Sequence, residues 1–230
     1  MCCEGSGTLY VAATPIGNAG DASARLRELV ERVEVVACED TRVFGKLCRL
    51  LGVKARRLVS CHEHNERERA DYFLGVLERG GDVLLASNAG TPLLSDPGYV
   101  LVRRAVERGF KVSPLPGPNA AVAALSCSGL RVDRFAFLGF PPRKEGKLAR
   151  FLEEAGRFDG TVIMYESPRR LAKLVRKAAE ALGARRAVVA RELTKAHEEF
   201  IRGTLPELAE ALSARNLKGE CCLLVENRPD

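Results

Sequence analysis

Aromatic residues make up only 6% of this 230-residue chain. They are not interleaved with its basic clusters, so stacking of single-stranded bases is weakly supported. Histidine is scarce, at three, and the eight cysteines include no C-x-x-C pair. With H-E-x-x-H also missing, the common zinc frameworks are excluded and no metal site is expected. The nearest approach is His62 and His64 beside Cys61. No G-x-G-x-x-G follows the first strand, no G-x-x-x-x-G-K-[ST] occurs, and no G-x-S-x-G occurs. These gaps remove the dinucleotide fingerprint, the P-loop and the hydrolase nucleophile elbow. No apolar run approaches the ~20 residues that span a bilayer, so no membrane partner is expected. No basic segment followed by a long apolar run marks a signal peptide, so secretion is not expected either.

What is present is an ordinary globular composition, 46% hydrophobic and 29% charged, with a net charge of +6 that leans towards a polyanionic partner. Adjacent cysteines such as Cys2-Cys3 rarely bridge each other, while Cys38, Cys48, Cys127 and Cys222 sit among apolar neighbours and read as small hydrophobes. A reducing cytoplasm is the expected compartment.

The stretch Ser87 to Gly98 is the centre of the reading. It follows the apolar strand Val83 to Ala86, consists mostly of small residues, and leads into Asp96-Pro97, an expected helix cap and first turn. Small residues after a strand let a ligand approach the backbone, and open α/β sheets place ligands there. Around it, short strands at Leu9 to Ala13, Val33 to Ala37, Leu58 to Ser60 and Val112 to Leu115 alternate with amphipathic helices. One helix presents Leu26, Leu29, Val30 and Val33; a second presents Val43, Leu47, Leu50 and Leu51; a third presents Ala70, Phe73, Leu74 and Leu77. That alternation predicts a mainly parallel sheet with helices on both faces over residues 1–117. Residues 118–230 carry more strands per helix, which predicts a second α/β domain with a mixed sheet. Asn65 with Glu68, and Ser167 with Pro168, are expected helix caps.

Polar clusters fall at the turns: Thr14-Pro15-Ile16-Gly17-Asn18, Glu39-Asp40-Thr41-Arg42, His62-Glu63-His64-Asn65-Glu66, and the Ser87 to Gly98 stretch. Further on come Leu115-Pro116-Gly117-Pro118, Tyr165-Glu166-Ser167-Pro168, Arg191-Glu192-Leu193-Thr194-Lys195 and Lys218-Gly219-Glu220. Each alone is compatible with a cap or a turn. As an ordered set, from about Thr8 to Glu226, they resemble the ribosomal RNA small subunit methyltransferase I family of the tetrapyrrole methylase superfamily.

The resemblance implies a two-domain tetrapyrrole methylase-like fold, a homodimer, and S-adenosylmethionine as cofactor in the cleft between the domains. It implies 2′-O-methylation of a cytidine in small-subunit (16S) ribosomal RNA near the decoding centre. The implied cofactor residues are Pro15, Ile16 and Gly17; Ser87, Asn88, Ala89, Gly90, Thr91 and Pro92; Asn119 and Ala120; and Met164, Tyr165, Ala190, Arg191 and Gly219. Asn88 stands where the family has aspartate, and the lost charge implies weaker cofactor binding. Methyl transfer to a ribose hydroxyl needs alignment and an acceptor for the proton. Candidates are Glu39, Asp40, His62, His64 and, if its pKa is lowered, Lys195. Arg42 and Arg191 suit phosphate or carboxylate recognition. Glu39, Asp40, Arg42 and His64 are expected on the RNA side. Arg143, Lys144, Lys147 and Arg150 fit phosphate contact or a solvated helix start equally well. Two alternatives stay open: a small-molecule methylase of the same fold, and a non-catalytic module that binds RNA or cofactor.

Overall fold

A computed structural model describes residues 5–227; the Cys2-Cys3 pair lies outside them. The chain divides into two compact units that meet in sequence between Asn119 and Ala120.

The first unit contains β1 (Thr8–Ala12), α1 (Ala24–Arg32), β2 (Val35–Cys38), α2 (Thr41–Leu51), β3 (Leu58–Ser60), α3 (Glu66–Glu78), β4 (Val83–Ala86), α4 (Tyr99–Glu107) and β5 (Lys111–Leu115). All five strands run parallel in the order β3-β2-β4-β1-β5. The period of two sorts each strand onto two cores. Along β2, Val35 and Ala37 join Phe73, Leu74 and Leu77 of α3 and Leu101 of α4, while Val36 and Cys38 join Leu26 and Val30 of α1 and Phe44 of α2. Val83 and Leu85 of β4 follow the first set, Leu84 and Ala86 the second. A parallel sheet buried on both faces results, as the apolar strands predict.

One helix turns differently from its expected face. In α2 the buried stripe is Phe44, Cys48 and Leu51, whereas Val43 is partly exposed and Leu50 is 73% exposed. The expected Val43/Leu47/Leu50 face is displaced by one residue because the bulky Phe44 takes the core position. Cys127 is exposed rather than buried, while Cys38, Cys48 and Cys222 are buried.

The second unit contains α5 (Ala120–Ser126), β6 (Phe135–Phe137), α6 (Glu145–Gly156), β7 (Thr161–Glu166), α7 (Pro168–Leu182), β8 (Arg186–Arg191), β9 (Glu199–Thr204), α8 (Leu205–Ser213) and β10 (Cys221–Glu226). Its sheet runs β6-β7-β10-β8-β9; only β6 and β7 are parallel, the other pairings being antiparallel. Leu148 and Leu152 of α6, Leu171, Leu174 and Val175 of α7, and Leu205, Leu208 and Leu212 of α8 cover one face. Among the described residues no helix is long and apolar enough to cross a membrane.

Three expected caps are replaced. Asn65 stands before α3 but turns its side chain back, accepting from the His62 N–H at 2.8 Å and donating to the Ser60 carbonyl at 3.3 Å. Ser167 makes no side-chain cap to α7; its own N–H donates to the Glu166 carboxylate at 2.7 Å. Asp96 does not cap α4, because that helix begins three residues later, after Gly98. Gly98 has φ 124°, and a Cβ there would sit 2.7 Å from Leu85 Cδ2, so only glycine fits and no side chain is available for a cap. The buried carboxylate of Glu66 does the work from 32 residues away. Its Oε1 accepts from the N–H groups of Gly98 at 3.1 Å, Val100 at 2.5 Å and Leu101 at 3.4 Å. A helix N-terminus favours a negative charge, and these N–H groups would otherwise lack partners. Glu66→Ala should therefore cost about 2–3 kcal/mol in denaturant unfolding, and Glu66→Gln, which keeps an acceptor, clearly less. A loss under about 0.5 kcal/mol for the alanine variant would contradict the cap.

Candidate active site

Because the first sheet is parallel, every strand delivers its following loop to the same edge. The helices after β1 and β2 lie on one face and those after β3 and β4 on the other. Neighbouring strands β2/β4 and β4/β1 therefore send their chains apart, and a crevice opens at such switch points. Four loops are tied to the one after β4. Thr14 and Gly90 form an antiparallel bridge, N to O at 2.9 and 3.0 Å. The Asn88 amide donates to Glu39 Oε2 at 2.7 Å. Glu66 holds Gly98 as described, and the Thr91 hydroxyl donates to the Pro118 carbonyl at 3.1 Å. The β4 loop is also held inward by the buried Ser87, whose hydroxyl donates to the Gly90 carbonyl at 3.0 Å. Leu93 and Ser95 adopt φ of 72° and 69°, conformations that cost energy and persist only where surroundings enforce them.

The sequence-expected residues divide on this edge. Pro15, Ile16 and Gly17 lie just beyond the Thr14–Gly90 bridge, with Ile16 buried and Gly17 exposed. Ala89 is exposed and Pro92 buried. Asn88 Oδ1 is buried and accepts no hydrogen bond among the described residues. Asp40 is the cap of α2, accepting from the Arg42 N–H at 2.8 Å, and its Oδ2 pairs with the Arg42 guanidinium at 2.8 Å. These bonds from Arg42 hold the Asp40 carboxyl well below the usual carboxylate range, which makes it a weak base. The exposed His64 stacks edge-on to His62 at 6.0 Å. Burial pushes the neighbouring Cys61 thiol up to about 12, which disfavours a thiolate nucleophile. Among the described residues no three His, Cys, Asp or Glu side chains gather as for a metal ion.

In the second unit, antiparallel register does the gathering. Cys221 pairs with Glu166 on one side and Arg191 on the other. The ends of β7 and β8 thus meet the start of β10, bringing Y-E-S-P, R-E-L-T-K and K-G-E together. Arg191 donates to Glu199 at 3.2 Å and to the Lys218 carbonyl at 3.0 Å, so its guanidinium clamps the sheet end. Gly219 has φ 90°, and a Cβ would fall 2.1 Å from Glu192 Cδ; the loops touch backbone to side chain. Met164 and Ala190 are buried in strands, the Met164 side chain within the helix-covered core. Tyr165 Oη accepts from the Ala121 N–H at 3.1 Å, and its ring meets Phe137 and Phe140 edge-on. Asn119 closes the first unit and Ala120 opens α5.

Lys195 departs from the expectation of a lowered pKa. Burial does pull it down, but Glu192 at 2.8 Å and Glu220 at 3.0 Å outweigh burial and hold it above the ordinary lysine value. It is a cationic strut, not a proton acceptor. Thr14, Glu66 and Glu220, the residues that tie the loops, were missed as site residues. Each lies inside a recognised cluster, but the partners are distant in sequence.

The strut predicts a pH window. A raised lysine pKa contributes stability that is present below its ordinary value of 10.5 and lost above it. Glu192, lowered from 4.5 by the Lys195 hydrogen bond, contributes stability present above 4.5 and lost as pH falls. The gap in denaturant midpoint between the native chain and Lys195→Met should be flat from about pH 5 to 10 and shrink on both sides. A gap that changes between about pH 7 and 9 would mean that Lys195 titrates there, as a base would.

Comparison with known proteins places this architecture. The family model of tetrapyrrole (corrin/porphyrin) methylases matches residues 8–209. The fold resembles those of the methyltransferase CobJ (TM-score 0.70, 18% identity, 98% of this chain and 97% of that one) and diphthine synthase (0.68, 14%, 96% and 90%). Closer in sequence is a ribosomal RNA small subunit methyltransferase I of Micromonospora olivasterospora, 46% identical over 98% of this chain and 72% of that protein. Its namesakes in Mesorhizobium japonicum and Pseudomonas aeruginosa are 46% and 44% identical, over 94% and 96% of this chain and 74% and 79% of theirs. By identity along nearly its whole length, the chain belongs to the ribosomal RNA small subunit methyltransferase I family of the tetrapyrrole methylases.

Proposed function

We propose that this chain methylates the 2′-hydroxyl of a cytidine in small-subunit (16S) ribosomal RNA near the decoding centre, with S-adenosylmethionine as methyl donor. The observation that carries the reading is the gathering of T-P-I-G-N, E-D-T-R, H-E-H-N-E and S-N-A-G-T-P loops around the β2/β4/β1 switch point. The same reading makes the protein a cytoplasmic homodimer.

S-adenosylmethionine supplies a methyl group on a sulfonium, so no metal and no covalent intermediate is needed. The first unit's loops suit such a ligand. Pro15 to Gly17 and Asn88 to Pro92 offer mostly backbone and small side chains, and the unpaired buried Asn88 Oδ1 is an acceptor waiting for a donor. A ligand with amine and hydroxyl donors fits it. Asn88 is also neutral here, and its amide is spent on Glu39, so its role is to accept from the ligand rather than to oppose a charge. Of the second unit's candidates, Ala120, Tyr165, Arg191 and Gly219 have surface to offer, whereas Met164 and Ala190 are buried.

The chain's own residues must align the ribose and take its proton. Of the candidate acceptors, Asp40 and Lys195 are engaged in ion pairs, as is Arg42. Glu39, His62 and His64 are in no ion pair among the described residues. Glu39, oriented by the Asn88 amide, is the assigned acceptor, and Arg42, with 87% of its side chain exposed, is available to an RNA phosphate.

Incubating the protein with labelled cofactor and small subunits lacking the modification should give ribose-methylated cytidine. Transfer to a tetrapyrrole precursor but not to RNA would replace this reading with a small-molecule methylase, and cofactor binding without any transfer would replace it with a binding module. Glu39→Gln should lower kcat by about 100-fold or more, the usual contribution of a general base. An unchanged kcat would remove Glu39 from proton transfer.

A further inference from the structure

Cations crowd the starts of α6 and α7, with Glu145 the one acidic residue in either first turn. A helix N-terminus carries partial positive charge, so a cation there costs roughly 0.3–1 kcal/mol instead of stabilising. Arg143, Lys144 and Lys147 nevertheless surround the start of α6, and Arg169 and Arg170 lie in the first turn of α7, which contains no acidic residue. Arg150 and Arg176 continue the two rows one and two turns on. The helices are joined at this end. Arg170 donates to the Pro141 and Pro142 carbonyls at 3.2 and 3.5 Å, pinning the loop that carries Arg143 to the start of α7. One turn later Lys173 pairs with Glu145 at 2.6 Å.

Arg170 and Lys173 are thus consumed in building the surface. Arg143, Lys144, Lys147, Arg150, Arg169 and Arg176 are all exposed, and none has an ion-pair partner among the described residues. Some surface arginines elsewhere are paired, as at Arg103–Glu107 and Arg134–Asp159. Others, such as Arg49, Arg56 and Arg67, are exposed without an ion pair among the described residues. This set differs in standing on two helices tied to each other. Six unpaired cations stand on two cross-linked helices, and four of them, Arg143, Lys144, Lys147 and Arg169, are set at helix starts that disfavour a cation. Such placements are expected where a surface serves a ligand. The solvent-facing positions of these cations favour contact with a charged backbone.

We infer that the joined amino-terminal halves of α6 and α7 bind the phosphate backbone of the substrate RNA. This rests on the RNA reading above and names a surface for it. The cations fix the position of the RNA and add affinity that falls with salt, without reading sequence.

The test compares the intact protein with a variant carrying Arg143→Gln, Lys147→Gln, Arg169→Gln and Arg176→Gln. Binding to unmethylated small subunits is measured across a salt series, with cofactor affinity and thermal midpoint alongside. The variant should bind subunits on the order of 100-fold more weakly near 0.1 M salt, with the slope of log affinity against log salt reduced by about 2–3. Its cofactor affinity should be unchanged and its thermal midpoint equal or higher, since cations have left the positive helix ends. Equal subunit affinity and slope, in a protein that still methylates RNA, would overturn the inference and leave the proposed function standing. A lowered thermal midpoint would make the cations structural and overturn it too. If the native chain binds anionic vesicles but no ribosomal subunit, both readings fall.

Discussion

The loop after β4 is the constraint on which the first unit's site depends. Four other loops reach the same sheet edge, and each is bound to this one: through Thr14, Glu39, Glu66 and Thr91. Without those ties a twelve-residue stretch of small residues would be free to sample many conformations, at a cost on ordering of about 1 kcal/mol or more per residue. With them, it holds Leu93 and Ser95 at positive φ. The loop's small residues therefore serve two purposes. They permit close backbone approach by a ligand, and they let neighbouring loops bond to its main chain.

The two units gather their clusters by opposite means. In the first, parallel strands send every loop to one edge, so clusters far apart in sequence converge without any special register. In the second, antiparallel strands alternate direction. Convergence there depends on Cys221 lying opposite both Glu166 and Arg191. A one-residue slip would turn every side chain of β10 to the other face, and burial on both faces of β10 opposes that slip.

Periodicity made the strands and the cores of α1 and α3 legible, because Leu26, Leu29, Val30 and Phe73, Leu74, Leu77 repeat at helical spacing with few rivals. It misplaced α2 by one residue, because Val43, Phe44, Leu47, Cys48, Leu50 and Leu51 supply two overlapping apolar stripes, and only packing selects between them. Local rules failed most often at helix starts. Asn65, Asp96 and Ser167 have the right chemistry for caps, yet Asn65 closes a turn, Ser167 donates to its neighbour, and α4 takes its cap from Glu66. A cap brought from 32 residues away leaves no local trace. The site clusters were legible as an ordered set, whereas the bonds between them were not.

Those bonds sort the charged residues of the clusters by where their partners lie. Glu66 is matched by the α4 backbone, Asp40 by Arg42, Arg191 by Glu199, and Lys195 by Glu192 and Glu220. Pairing moves the Asp40 carboxyl down and the Lys195 amine up, away from neutrality, so both exchange protons poorly there. Most of the charge in these clusters is therefore architectural, although the clusters themselves mark the site. Groups left over among the described residues include the Glu39 carboxylate, the His62 and His64 rings, and the buried Asn88 oxygen. Glu39 and Asn88 share a hydrogen bond, so anything that orders the asparagine orders the carboxylate as well. A donor reaching Asn88 Oδ1 would fix the amide plane and, through Nδ2, the direction in which Glu39 faces. Ligand contact at Asn88 and the orientation of Glu39 would then be one event, carried by a single side-chain amide between β2 and β4.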